Sequence, residues 1–307
     1  MKMKKFFKKR EYNFDFMKQS KWGYALSIIM LIVSVVSFMT RGLNYGIDFE
    51  GGVQIEASST ETIKMDEVRK NLGFLKGLTI QSVGTEGKSI LILAQPDETL
   101  NSNQLLEKIK SILGPTYSYQ KVEIIGPTIG KELKDKSLLA SILALLAITI
   151  YIWFRFEWPF AIGCLLALAH DMIIVVGVFS LFQIEFNMVV VAGLLSFAGY
   201  DCNDSIVTYD RVREYLKKYR KMPVLELLNR ATNETLSRTI LTSLTTLFVV
   251  LVLLFFGGET LFGFALAMTL GTVLGTYSSI YLAVPVLRYF DIKKLGDKSS
   301  AEPDFNK

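Results

Sequence analysis

Four stretches of this sequence, residues 22–40, 137–154, 239–256 and 261–287, carry no charged side chain. Eighteen such residues in a helix cover roughly 27 Å, close to the hydrocarbon thickness of a bilayer. Lipid offers the backbone no hydrogen-bonding partner, so each stretch is expected to cross as a helix. Two more apolar stretches, 158–182 and 188–209, are interrupted by ionisable residues near their middle or inner end. The predicted fold class is a polytopic α-helical membrane protein with six transmembrane helices. Half of the 307 residues are hydrophobic, which suits that class better than one large soluble core.

Residues 41–136 differ in kind. Val53, Ile55 and Ala57 alternate with polar neighbours as in a half-buried strand. Residues 65–75 and 100–113 read as helices, and 78–83, 89–94 and 117–125 as strands, with GTEGK turning between the middle pair. Strand, helix, strand, strand, helix, strand is the order of a ferredoxin-like α+β domain, here set between helices 1 and 2. Gly46, Gly51 and Gly52 are expected to serve sharp backbone turns where the chain enters it.

Basic residues set the orientation. They crowd into the 1–21 tail, the 155–157 link, the 210–238 loop and the 288–307 tail, and avoid the 183–187 and 257–260 links. The positive-inside rule puts both termini in the cytoplasm and the 41–136 domain outside, in the periplasm. The net charge of +5 is then mostly topology, and nucleic acid is not an expected partner. The amphipathic piece around Val212, Leu216 and Tyr219 is expected to lie along the inner face and touch membrane lipids. The N-terminal apolar run is too long for a cleaved signal and is expected to be retained.

Acids inside spans are functional candidates by default. Asp204 lies about six residues inside one end of the fourth span, and a poorly hydrated carboxyl there is suited to exchanging a proton. An ionised acid locked to a cation, or one snorkelling to the interface, is the competing reading. Arg238 enters the next span at a matching depth; it serves either as the switchable partner of Asp204 or as an ordinary flanking cation. His170 and Asp171, mid-span, suit a proton relay or a helix-packing hydrogen bond. Asp201 and Asn203 stand beside Asp204. Ala192, Ser196, Gly199 and Asn203 recur at helical spacing and would let another helix approach closely. Cys164 and Cys202 lack metal-ligand spacing and read as packing residues. There is no phosphate-binding loop, zinc spacing or catalytic triad, so no enzyme activity, cofactor or metal is expected.

Six segments carry a family resemblance: RGLNYGIDFEGG at 41–52, VEIIGPTIGKEL at 122–133, FRFEW at 154–158, LALAHD at 166–171, GYDCNDSIVTYDRVRE at 199–214 and LSRTILTSLTT at 236–246. In order and spacing they resemble the SecF family of the resistance-nodulation-division superfamily. The resemblance implies a location in the bacterial inner membrane, pairing with SecD, work beside the SecYEG channel, and use of the proton-motive force to complete export of a preprotein handled by the periplasmic domain. It also implies that Asp204 and Arg238 are the proton-linked acid and its arginine. Asp201 stands where the family commonly has a small residue, and Glu50 where it has Thr. A scaffold that only stabilises SecD and the channel, and a small-solute proton antiporter, are the alternatives.

Overall fold

The computed structural model describes residues 14–83, 87–96 and 100–294. Parts of the sequence expectations, namely residues 1–13 of the first tail, Gly84 to Glu86 of the predicted turn, and 295–307 of the last tail, lie outside the described residues. Helix α1 is Phe16–Arg41, α5 Pro127–Arg155, α6 Trp158–Phe182, α7 Met188–Lys218, α8 Val224–Phe256 and α9 Gly258–Ser278. Among the described residues, five helical segments are long and apolar enough to cross a membrane: 16–41, 127–155, 158–182, 224–256 and 260–289. Helix α7 is not among them, because Asp201, Asn203 and Asp204 dilute its apolar run. Large apolar side chains of α1, α5 and α8, such as Ile29, Leu143 and Phe248, face outward from the bundle. A soluble protein would be penalised for that surface, whereas lipid accepts it.

Helices outrun their apolar stretches. The first begins at Phe16 and not Trp22: Asp15 accepts from the Lys18 amide, and Phe16 and Met17 bury against α8. Asn229 and Asn233 of α8 accept from the Phe16 and Phe14 amides, at 2.8 Å each, and pin this start. The second long helix begins at Pro127, with proline at a position where its missing N–H is harmless. The expected 210–238 loop is corrected most. Helix α7 continues to Lys218 and α8 starts at Val224, so only a short turn separates them. Val212 and Leu216 pack into a core with Leu227, Leu228 and Ala231, so the amphipathic stripe faces its own bundle and not lipid. The sixth apolar stretch is not one regular helix. After α9 it passes through a π-helical turn, Ser279–Ala283, then a short turn with Pro285 and a 3-10 end at Leu287–Tyr289. Proline supplies no N–H and crowds the carbonyl four residues back, which is where the ladder changes.

Between α1 and α5 lies an α+β domain. Strands β2 (Gly52–Ser59), β3 (Thr79–Val83), β4 (Ser89–Ala94) and β5 (Tyr117–Ile125) form an antiparallel sheet in the order β3-β4-β2-β5. Helices α3 (Met65–Leu72) and α4 (Ser102–Leu113) cover one face. Val53, Ile55, Ile90, Ile92, Leu72 and Ile109 are fully buried between them, each such side chain contributing roughly 1.5–3 kcal/mol. A capping box of Asn101 and Gln104 starts α4.

The domain is fastened to the bundle at a corner. Strand β1 (Asn44–Tyr45) pairs in parallel with β6 (Glu185–Phe186), in the link between α6 and α7. The short helix α2 (Ile47–Glu50) follows. Gly51 has φ of 79° and ends α2, while Gly52, at φ of 157°, already opens strand β2 opposite Ile125. Gly46 differs: its backbone is extended, and a Cβ there would press on the Glu185 carboxyl and crowd Asn187. Gln95 donates to Glu50 at 2.6 Å, a contact that ties the end of α2 to the residue after β4.

Candidate functional site

Two glycines make the site possible. Gly271 and Gly275 are spaced by four on α9, the small-xxx-small pattern that lets membrane helices approach. A Cβ on Gly271 would collide with the Phe197 ring, and one on Gly275 with the Asp201 carboxyl. The α7–α9 seam is therefore closed at Asp201, and the acids of α7 are drawn inward. Asp171, Asp201 and Asp204 are all buried, at 0%, 5% and 5% exposure.

Each acid has specific partners. Asp204 accepts from Thr242 and Ser243 of α8 at 3.3 Å each. Thr276 of α9 donates to Ser243 at 2.7 Å, giving the carboxyl a second layer of hydroxyls. Asp171 accepts from Ser278 of α9 at 2.5 Å and contacts His170 Nδ1 at 2.6 Å. Asp201 stands between, within hydrogen-bonding range of Asp171 and close enough to Asp204 to feel its charge. A row of polar groups thus runs through the bundle from His170 on α6, by Asp171, Asp201 and Asp204, to the hydroxyls of α8.

Several expected site residues are placed differently. Arg238 is exposed, and among the described residues no ion pair joins it to Asp204. The carboxyl rests on hydroxyls one turn further along the helix that carries Arg238; Thr242 Oγ1 also lies 3.0 Å from the Arg238 carbonyl. Asn203 is exposed, on the opposite side of α7 from the acids. The stripe Ala192, Ser196, Gly199 and Asn203 faces wholly outward, and a Cβ on Gly199 would meet nothing within 4 Å. Within this chain the close helix approach comes from the α9 glycines instead. Cys164 and Cys202 are free and buried in the core, as packing residues.

Two residues that carry the arrangement were not singled out from sequence. Ser278 positions Asp171, and only its depth in an apolar run marked it. Asp48 of α2 accepts from the Met188 amide at 3.0 Å and so caps the N-terminus of α7, the helix that bears Asp201 and Asp204. Asn187 caps the same end through the Val190 amide.

A helical bundle with a connected row of buried carboxyls, joined at one end to an α+β domain, defines an integral membrane protein with ionisable groups inside its spans. Residues 105–293 match the family described as protein export membrane protein SecD/SecF, C-terminal, and residues 36–63 match the SecD/SecF GG motif. A protein translocase subunit SecF of Rickettsia bellii is 40% identical over 289 residues, 92% of this chain and 95% of its own. The Pseudomonas aeruginosa protein of the same name is 39% identical over 281 residues, 91% of this chain and 92% of its own. The crystal structure of SecDF, a translocon-associated membrane protein from Thermus thermophilus, superimposes with a TM-score of 0.80 at 36% identity. That match covers 91% of this chain and 39% of the SecDF chain, so this chain spans about two fifths of it. A second SecDF structure, in a super-membrane-facing form, gives a TM-score of 0.69. The chain belongs to the SecF family of protein translocase subunits.

Proposed function

We propose that this chain works with SecD to convert the proton-motive force into completion of protein export, with Asp204 as its proton-exchanging acid. The observation that carries the proposal is the state of Asp204: buried in the bundle, one turn from the buried Asp201 on α7, and held by neutral hydroxyls. Such an acid changes its partners when it changes its charge. Ionised, it accepts from Thr242 and Ser243 and attracts Arg238 one turn away on the same helix; protonated, it releases that attraction and gains a donor. One proton falling through about 100 mV supplies roughly 2.3 kcal/mol, which biases a two-state equilibrium about fiftyfold. Asp171 and Asp201, at hydrogen-bonding range, share a proton and make a reservoir beside it.

In this reading α7 is the sixth span, tolerated because its acids face protein and not lipid. The α+β domain, whose strand order matches a ferredoxin-like fold, lies in the periplasm and meets the emerging preprotein. Both termini lie on the cytoplasmic side of the inner membrane, next to SecYEG. The outward stripe of small residues on α7 is the face offered to SecD, where the 39% coverage of the fused SecDF chain supports a partner of that kind. Lipids cover the apolar outer faces of α1, α5 and α8.

The test is export into proteoliposomes holding SecYEG, SecD and this chain, with and without a proton gradient. Asp204→Asn is expected to remove the gradient-dependent gain while the complex still copurifies. A full gain in Asp204→Asn overturns the proposal, and loss of assembly would favour a scaffolding role.

A further inference from the structure

His170 presents an unanswered atom to the far side of the bundle. Its Nδ1 faces Asp171, so a proton donated there leaves Nε2 as an acceptor. The residue is 4% exposed, yet Nε2 has no hydrogen-bond partner among the described residues. A buried polar atom left unpaired is costly, and a bound water is the usual remedy where polar groups converge. They converge here. The His170 ring lies beside that of Tyr277 on α9, with centroids 6.4 Å apart. The Tyr277 hydroxyl donates to the Gly23 carbonyl at 2.6 Å and meets Ser27 Oγ at 3.1 Å, both on α1.

The inner face of α1 continues this polarity toward the end of the bundle that carries Phe16 and Tyr289. Its buried positions include Ser20, Gly23 and Ser27. Ser20 accepts from Arg288 at 3.2 Å, near that end. A polar track therefore leads from Arg288 past Ser20 and the Gly23 carbonyl to Tyr277 and His170, on the side of Asp171 away from Asp201. The path through Asp204 uses none of it.

We propose that the junction of α1, α6 and α9 at Ser27, Tyr277 and His170 holds water on His170 Nε2 and forms a second proton branch, delivering to Asp171 from the side that carries Phe16 and Tyr289. The branch rests on the proton-driven reading above; the wetness of the junction does not.

The test is thiol accessibility in the full chain reconstituted with SecD, after Cys164→Ala and Cys202→Ala. The probe is 2-aminoethyl methanethiosulfonate, which reacts with thiolate and so with wetted cysteines. Ser27→Cys, nearly isosteric, is expected to label on the order of tenfold faster than Ile29→Cys on the lipid-facing side of α1. Equal rates would overturn the water site, with Asp204→Asn behaviour unaffected. Tyr277→Phe and Ser27→Ala are then expected to lower gradient-driven export on the order of tenfold with assembly intact. A wet junction with unchanged gradient-driven export in both variants overturns the branch. A wet junction with a full gain in Asp204→Asn leaves the water site standing and removes the reading on which the branch depends.

Discussion

Asp48 is the residue through which the chain entering the α+β domain grips the acid-bearing helix, and its removal makes a quantitative test. The Met188 amide is one of the four N–H groups that α7 cannot satisfy internally, and Asp48 accepts from it at 3.0 Å. A lost cap of this kind costs about 0.5–2 kcal/mol, and the carboxylate adds a few tenths by its charge at a helix N-terminus. Water can reach this bond, and Asn187 still caps the Val190 amide at 3.1 Å. The lower half of the range therefore applies, about 1 kcal/mol, or about a fivefold rise in local opening. Asp48→Ala is expected to speed hydrogen exchange at the Met188 amide by that factor, with little change at the amides around Asp204. Asp48→Asn keeps an acceptor and is expected to show under half the effect. Export should fall in Asp48→Ala while copurification with SecD persists. Unchanged exchange at Met188, or an Asn variant as impaired as the Ala variant, would refute the capping role.

Other expectations follow from packing. Gly275→Val places a branched side chain against the Asp201 carboxyl; overpacking of this kind costs about 1–3 kcal/mol, and lowered thermal stability with lost gradient-driven export is expected. Ile92→Ala empties a fully buried site in the sheet and should destabilise the domain by about 2–5 kcal/mol, read as a lowered denaturant midpoint. Asn233→Ala removes the bonds to the Phe14 amide and carbonyl, each 2.8 Å, and should raise proteolysis near residue 14 while leaving the sheet untouched.

How much was legible follows from what hydropathy measures. The apolar stretches predicted six crossing helices, of which five are long and apolar enough among the described residues, and strand alternation placed β2, β4 and β5 within a residue or so of their observed bounds. The same signal began too late, at Trp22 and at Ser137, because Lys18, Lys21 and the charged run from Lys131 to Lys136 sit on the opening turns of helices that start at Phe16 and Pro127. Residues 210–238 misled for a related reason. A basic amphipathic segment looks alike whether its apolar stripe meets lipid or a neighbouring helix, and here Leu227, Leu228 and Ala231 supply the neighbour. The acids of the site were legible because charge inside an apolar run is conspicuous. Their partners were not, since Ser243, Thr276 and Ser278 are ordinary in membrane helices. Gly271 and Gly275 carry the same small-xxx-small signal as the stripe on α7, and spacing alone does not distinguish which of the two meets a helix within the chain.

Under the proposed proton exchange, the lack of an ion pair between Arg238 and Asp204 among the described residues is what would let the seam adopt two states. A carboxylate already paired with arginine in the interior would be held by several kcal/mol, and leaving the cation unpaired on protonation would be strongly unfavourable. Asp204 instead accepts two hydroxyl bonds of 3.3 Å, long for their type. Bonds to a charged acceptor are worth about 1.5–3 kcal/mol each, less when they are long, the same scale as the roughly 2.3 kcal/mol that one proton supplies across 100 mV. On the proposed reading, a grip of that size is one the driving force could reverse. Its consequence travels along α7, a 31-residue helix. Asp204 and the capped Met188 are separated by roughly 24 Å of that one helix. On the proposed proton-driven reading, a tilt or slide of α7 at Asp204 would reach Asp48 and the β1–β6 pair along one continuous helix, and so reach the α+β domain.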